Sequence, residues 1–342
     1  MRQMEIDGKS GKCSILIGES ISNLSSYCNS EKTVVITDSN VRKLHGKSFP
    51  NFKVIEIGLG EEIKTLGTAE MIYKKFLEME LERNSMVIGI GGGIVCDIAG
   101  FVSSTYVRGM RLGLVPTTLI AQADAAIGGK NGVNLGGYKN IIGTIRQPEF
   151  VLCDFSLLST LPEKQIRNGF AEIIKHAAIA DAKLFSYLEE NLRNGIHLKQ
   201  SAMEKIIHDS ILVKTGIVKK DEFEKGERRK LNFGHTVGHA IEKCCSLPHG
   251  EAIAIGMVAE ANLSVSKGLL GKDDAARIAG ILKSIGLSTG INADSALLFD
   301  AIKKDKKRKS DSVLIGLLDG IGKCRVQEVP LHELEAILHD LH

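Results

Sequence analysis

The order in which short apolar runs and helix-length segments follow one another constrains this chain more than any other feature. Runs rich in β-branched residues occur at 14–17, 33–36, 54–57, 86–90, 112–115 and 151–153. Helix-like stretches separate them, most clearly at 65–81. Strands spaced this way pair in parallel through crossover helices rather than as hairpins. A Rossmann-like, doubly wound α/β domain follows. Near Pro162 the pattern changes, and on to about 301 it is helical, with no convincing strand. Pro162 suits the first turn of a helix running to 179. Further helices are predicted at 181–191, 202–219, 233–244, 251–267 and 273–285. A late hairpin is predicted where 313–318 and 323–326 flank Asp319-Gly320. The basic run 303–309 reads as a solvated helix face. The expected fold class is therefore α/β plus all-α, with domains at 1–160 and 161–342. A length of 342 residues suits two such cores.

Composition excludes more than it assigns. A net charge of +3 gives no reason to expect a nucleic-acid or membrane partner, and no apolar run is long enough for a bilayer span. The cysteine count is seven, odd and without a CxxC pair, which argues against a disulfide framework or a thiolate metal site. A reducing, cytoplasmic setting is the simplest expectation.

In Gly89-Ile90-Gly91-Gly92-Gly93-Ile94-Val95-Cys96-Asp97 an apolar run enters glycines and then a helix. Such a turn lets backbone amides and a helix N-terminus approach a phosphate. A plain tight strand–helix turn reads equally well. Thr117 and Thr118 stand where a dinucleotide fingerprint expects an acidic residue, while Asp38 follows an earlier strand. His235 and His239 share a helix face, His249 follows in a predicted loop, and Glu172 lies on an earlier helix. Three N/O ligands with an open position would make a catalytic zinc site. Read locally, His235 and His239 form the ligand pair, or simply two histidines on a helix. Lys130, Lys139, Lys175 and Arg228 lie beside small or polar residues, a pattern suited to an anionic ligand.

Taken in series, GGGIVCDIAGF, TYVRG, VPTTLIAQADAAIGGKNGVN, YKNIIG, GFAEIIK, RRKLNFGHTVGHAIE and HGEAIAIGM resemble the 3-dehydroquinate synthase family over about 60–330. The resemblance implies an NAD-binding α/β domain followed by a mostly helical metal- and substrate-binding domain. It assigns the metal ligands to Glu172, His235 and His249, and makes His239 a substrate contact. It implies NAD contacts from Asp38, Asn40, Glu61, Lys64, Gly92, Gly93, Asp97, Thr117, Thr118, Lys130, Lys139 and Thr160. Substrate contacts are implied for Asp124, Lys139, Asn140, Lys175, Lys214, Arg228, Asn232, His239 and Lys306. Arg108 resembles an arginine that reaches the substrate phosphate from a neighbouring subunit, which implies a homodimer. Lys130, Lys175, Lys214, Arg228, Asn232 and His239 are the implied catalytic set. Two departures are visible: Ala125-Ala126 replaces hydroxyl residues, and Asn131 stands where threonine is common.

The implied cofactors are NAD and zinc, with cobalt possible. The implied partner is a small phosphorylated sugar acid, 3-deoxy-D-arabino-heptulosonate 7-phosphate. Its conversion would run through transient oxidation, phosphate elimination, re-reduction and intramolecular aldol closure. The alternatives are another sugar-phosphate cyclase or a metal-dependent polyol dehydrogenase of the same fold.

Overall fold

The structure is a computed structural model that describes residues 1–303, 308–309, 311–339 and 341. The chain divides into two compact units, Met1–Pro162 and Glu163–His342.

The first unit is built on a seven-stranded sheet. Its strands are β1 (Arg2–Gly8), β2 (Gly11–Ile17), β3 (Thr33–Asp38), β4 (Lys53–Ile57), β5 (Met86–Gly91), β6 (Arg111–Pro116) and, after an excursion, β9 (Phe150–Cys153). The sheet order is β1-β2-β9-β6-β5-β3-β4. Only the β1–β2 pair is antiparallel; from β2 through β9 to β4 all neighbours are parallel. Helices α1 (Ser39–His45), α2 (Leu66–Glu78) and α3 (Gly93–Thr105) provide crossovers. The excursion is a two-stranded hairpin, β7 (Lys130–Leu135) and β8 (Tyr138–Ile145). Its two-residue turn, Gly136-Gly137, has positive φ at both positions, as the twist of a tight hairpin requires. Strands β3 and β5 are buried almost throughout, so they read as continuous apolar runs rather than as alternation.

The second unit is mostly helical: α4 (Glu163–Ala180), α5 (Ala182–Asn191), α6 (Gln200–Lys220), α7 (His235–Cys245), α8 (His249–Ser266), α9 (Lys272–Ser284), α10 (Ser295–Lys303) and α11 (Leu331–Leu338). Strands β10 (Arg308–Lys309), β11 (Ser312–Leu318) and β12 (Cys324–Pro330) form an antiparallel sheet. Val237, Ile241, Ile255 and Leu263 of the α7–α8 hairpin pack into one core with Ile315, Leu317 and Leu334. That core holds the start of α7 against α8, where the histidines lie.

The expected fold class, α/β followed by a mostly helical part, is observed, with local corrections. Strand β1 and the β7–β8 hairpin were not foreseen. The helix expected at 233–244 begins at His235, because Glu227–Asn232 forms a 3-10 turn and Gly234 is left-handed. His249 is not in a loop but is the first residue of α8. The basic run is not one helix face: α10 ends at Lys303 and Arg308–Lys309 form a strand. Lys306 lies outside the described residues.

Candidate functional site

In the first unit the candidate nucleotide residues gather where parallel strands end. Asp38 closes β3, Glu61 follows β4, Gly92 follows β5, and Thr117 follows β6. The carboxyl ends of adjacent parallel strands are where open α/β sheets bind ligands. Gly91 must be glycine, because a Cβ there would lie 2.5 Å from the Val95 side chain. This lets α3 start tightly against β5. Gly92 provides no side-chain cap to α3, so the first amides remain available to an anion. Thr118 packs against Gly92, with its methyl 3.2 Å from where a Cβ would stand.

A polar network lies beside this turn. The Lys64 ammonium, which is buried, donates to Asp97 Oδ2 and to Asn140 Oδ1, each at 2.5 Å. Asn134 accepts from the Asn140 backbone at 2.8 Å and donates to Glu61 Oε1 at 2.7 Å. Its own backbone N–H donates to the Lys64 carbonyl at 2.7 Å. Glu61, Lys64, Asp97 and Asn140 are thus brought together. Asn134 joins them, and sequence reasoning missed it. Its only signal was its place between two glycine pairs. Asn140 itself is left-handed, with φ 51°.

Asp38, Asn40 and Thr160 lie around α1. Asp38 caps that helix by accepting from Val41 N at 2.8 Å, and Thr160 Oγ1 is 3.0 Å from Nε2 of His45. Asp124 is on a π-helical turn, Ala121–Ala125, and Lys130 and Lys139 are exposed on the hairpin. Arg108 follows α3 in a strained turn. Val107 has φ 44° and Arg108 has φ 62°, both in the left-handed region that β-branched and bulky residues avoid.

In the second unit Glu172, His235 and His249 converge. Nε2 of His249 is 3.0 Å from Glu172 Oε1, and Nε2 of His235 is 3.4 Å from the same oxygen. The opposite nitrogen of each ring faces an acceptor. Nδ1 of His235 is 3.2 Å from the Phe233 carbonyl, and Nδ1 of His249 is 3.4 Å from Glu242 Oε2. Acceptors on Nδ1 fix the tautomer that turns the Nε2 lone pair inward, as metal-binding histidines need. His239 lies one turn beyond His235, with ring centroids 5.2 Å apart. A second ligand-capable triad, His239–Glu242–His249, overlaps the first. In it the nitrogen of His249 nearest Glu242 is Nδ1, at 3.4 Å, whereas Nε2 of both His235 and His249 faces Glu172. Geometry therefore favours Glu172, His235 and His249 as the set that could hold a divalent cation.

Charges around this point are tightly balanced. Burial opposes ionisation of Glu172, but Lys175 and His235 outweigh it and hold its carboxyl well below the usual range. Burial pushes His235 down to about 4, against the pull of Glu172. Burial also opposes a charge on His249, yet hydrogen bonds to Glu172 and Glu242 hold its proton up to about 9. A metal held at this point would have to displace that proton. Lys175 pairs with Glu172 one turn along α4. Lys175, Lys214 and Arg228 are all buried. Arg228 sits in the 3-10 turn, where Nη1 donates to the Glu222 carbonyl at 2.5 Å. Its Nε is buried without a hydrogen bond, a cost that an anion can offset. Asn232 of the same turn donates to Glu224 at 2.6 Å.

Comparison with known proteins follows this division. A family model described as "3-dehydroquinate synthase N-terminal" matches residues 54–168, and one described as "3-dehydroquinate synthase C-terminal" matches 169–308. A 3-dehydroquinate synthase of Saccharolobus solfataricus is 39% identical over 341 residues, covering 97% of this chain and 96% of that protein. Among solved structures, 2-deoxy-scyllo-inosose synthase complexed with carbaglucose-6-phosphate, NAD+ and Co2+ superposes with a TM-score of 0.89 at 26% identity, covering all of both chains. The 2-epi-5-epi-valiolone synthase of Streptomyces hygroscopicus subsp. jinggangensis 5008, with NAD+ and Zn2+ bound, gives 0.87 at 25% identity, covering 100% of this chain and 98% of that one.

Proposed function

We propose that this chain, which belongs to the 3-dehydroquinate synthase family, converts 3-deoxy-D-arabino-heptulosonate 7-phosphate to 3-dehydroquinate and phosphate. The net reaction is a phosphate-eliminating, carbon–oxygen lyase reaction. The observation that carries this reading is the convergence of Glu172, His235 and His249, with each imidazole held by an acceptor on its far nitrogen. That donor set fits zinc or cobalt. When bound, the metal supplies Lewis acidity to substrate hydroxyls, and NAD supplies reversible hydride acceptance.

The chain's own residues do the rest. Glu172, His235 and His249 would hold the metal. Lys175 balances the buried Glu172 charge and contributes a cation to the same point. Lys214 and Arg228 supply buried cations for the substrate's anionic groups. Holding a doubly anionic substrate at both ends fixes its reacting geometry, worth several kcal/mol of barrier. Asn232 and His239 orient hydroxyls, and His239 can move a proton. In the first unit, Gly92, Gly93 and Thr118 form the phosphate turn for NAD, while the Lys64 network shapes its flank. Arg108 completes the phosphate contacts from a second copy of the chain.

The sugar-phosphate cyclases that share this fold are the competing reading, and their substrates lack the carboxylate. The test supplies NAD, zinc and either the heptulosonate phosphate or glucose 6-phosphate, and identifies the carbocycle formed. The account predicts turnover of the heptulosonate phosphate alone. A carbocycle from glucose 6-phosphate, with none from the sugar acid, overturns it.

A further inference from the structure

Helix α7 starts under unusual conditions. Its N-cap is Gly234, left-handed at φ 80°, and it makes no side-chain cap. A Cβ at this position would lie 2.5 Å from Met257 Cγ and 3.0 Å from Met257 N, so no serine, threonine or aspartate can take over. The opening amides of a helix nevertheless need acceptors when buried. They find them on the neighbouring helix. Glu260 of α8 accepts from Gly234 N at 2.7 Å through Oε2, and from Thr236 N at 3.1 Å and Val237 N at 3.3 Å through Oε1.

Glu260 is wholly buried. A carboxylate so placed is costly unless hydrogen bonds and a local positive potential offset it. Three amide donors and the positive end of α7 do so here. The gripped amides bracket His235. Its ring is held by the Phe233 carbonyl, 3.2 Å from Nδ1, so the amides that Glu260 grips and the carbonyl that orients the imidazole lie on the same short stretch of backbone. A second constraint acts along α8. His249 opens that helix and Glu260 follows eleven residues later, about three turns on and hence on the same face. One rigid helix thus bears one imidazole of the triad and the clamp that places the other. Backbone packing reinforces this, since a Cβ on Gly256 would stand 2.0 Å from the Gly234 carbonyl oxygen.

We propose that Glu260 is a positioning residue for the metal centre: by capping α7 from α8 it sets His235 in register with His249 and Glu172. The inference rests on reading Glu172, His235 and His249 as the ligands. A role confined to stability would lower the melting temperature and leave the metal site unchanged.

The test compares wild type with E260Q, E260D and H235A as full chains. Zinc affinity is measured by chelator competition, and the visible absorption of the cobalt-loaded proteins reports ligand geometry. E260Q keeps the size but presents an amide N–H to a backbone N–H. Its zinc affinity should fall about ten- to a hundredfold, the usual range for such outer partners. Its cobalt bands should shift, while NAD affinity stays at the wild-type value. E260D keeps the charge but shortens the reach, and should fall between the two. If E260Q does not fold, E260D decides alone. Wild-type zinc affinity and cobalt spectra in the folded Glu260 variants overturn the proposal. H235A separates the two readings. If it loses zinc while the Glu260 variants bind normally, only the role of Glu260 fails. If it binds zinc like wild type, the ligand assignment itself fails.

Discussion

Removing any one of three side chains should abolish metal binding without unfolding the second unit. Glu172→Ala, His235→Ala and His249→Ala each delete a donor from a point where three elements meet. Metal content of the purified variants checks this, and full occupancy in all three would sink the assignment. A neighbour on α4 carries a different prediction. His176 is buried, bonded to Ser210 at 2.8 Å, and pushed by burial and the Lys175 charge down to about 3. The unfolded chain binds that proton near pH 6.5, whereas the folded chain does not. The associated stability is complete above about 6.5 and declines as pH falls toward 3. From well above pH 6.5 down to pH 5 the loss is about 2 kcal/mol, since below about 6.5 the slope approaches 1.36 kcal/mol per unit. His176→Asn should make that part of the profile shallower, with the slope due to His235 remaining, as denaturant unfolding at several pH values would reveal. An unchanged slope means that another group titrates there.

Elements differ in how far the sequence announced them. Buried parallel strands such as 33–36 and 86–90 were legible because both faces are covered and every position is apolar. Strand β1 was not, because only Ile6 of its seven residues is buried. The β7–β8 hairpin was hidden for the same reason: β8 is largely exposed, and glycines interrupt any alternation. Spacing alone picked out His235 and His239, since local periodicity sees one helix at a time. The triad with Glu172 and His249 joins three helices, and only the family resemblance pointed to it. Glu260 left a faint trace, as a single carboxylate in the apolar run Ile253–Leu263 of α8. Asn134 left less, although it ties the Glu61–Lys64 turn to the Asn140 turn. Asn134→Ala should weaken NAD binding about tenfold through loss of two side-chain hydrogen bonds, each worth about 1 kcal/mol. Metal content should not change. Titration calorimetry with NAD checks this, and wild-type affinity would show that the turns hold without it.

At the scale of the whole molecule, the role proposed for Arg108 calls for a second copy of the chain. Arg108 follows α3, whose thirteen residues separate it from the glycine turn by about 20 Å. The positive φ angles at Val107 and Arg108 mark a backbone conformation that persists only where surrounding structure or function holds it. Arg108→Ala should lower activity strongly and leave zinc and NAD binding near wild type. Mixed with Lys175→Ala under subunit exchange, it should recover about a quarter of wild-type activity, because one site of each mixed dimer regains both groups. Exchange without recovery means that Arg108 does not act across an interface. The central claim is that NAD is borrowed within each turnover and returned. The measurement supplies zinc-loaded protein, an excess of the heptulosonate phosphate, and NAD equimolar with active sites, while phosphate release and NADH absorbance are followed together. The account predicts many equivalents of phosphate per NAD, with no net NADH. Phosphate release that stops after one equivalent of NAD, or NADH that builds up in step with turnover, contradicts it.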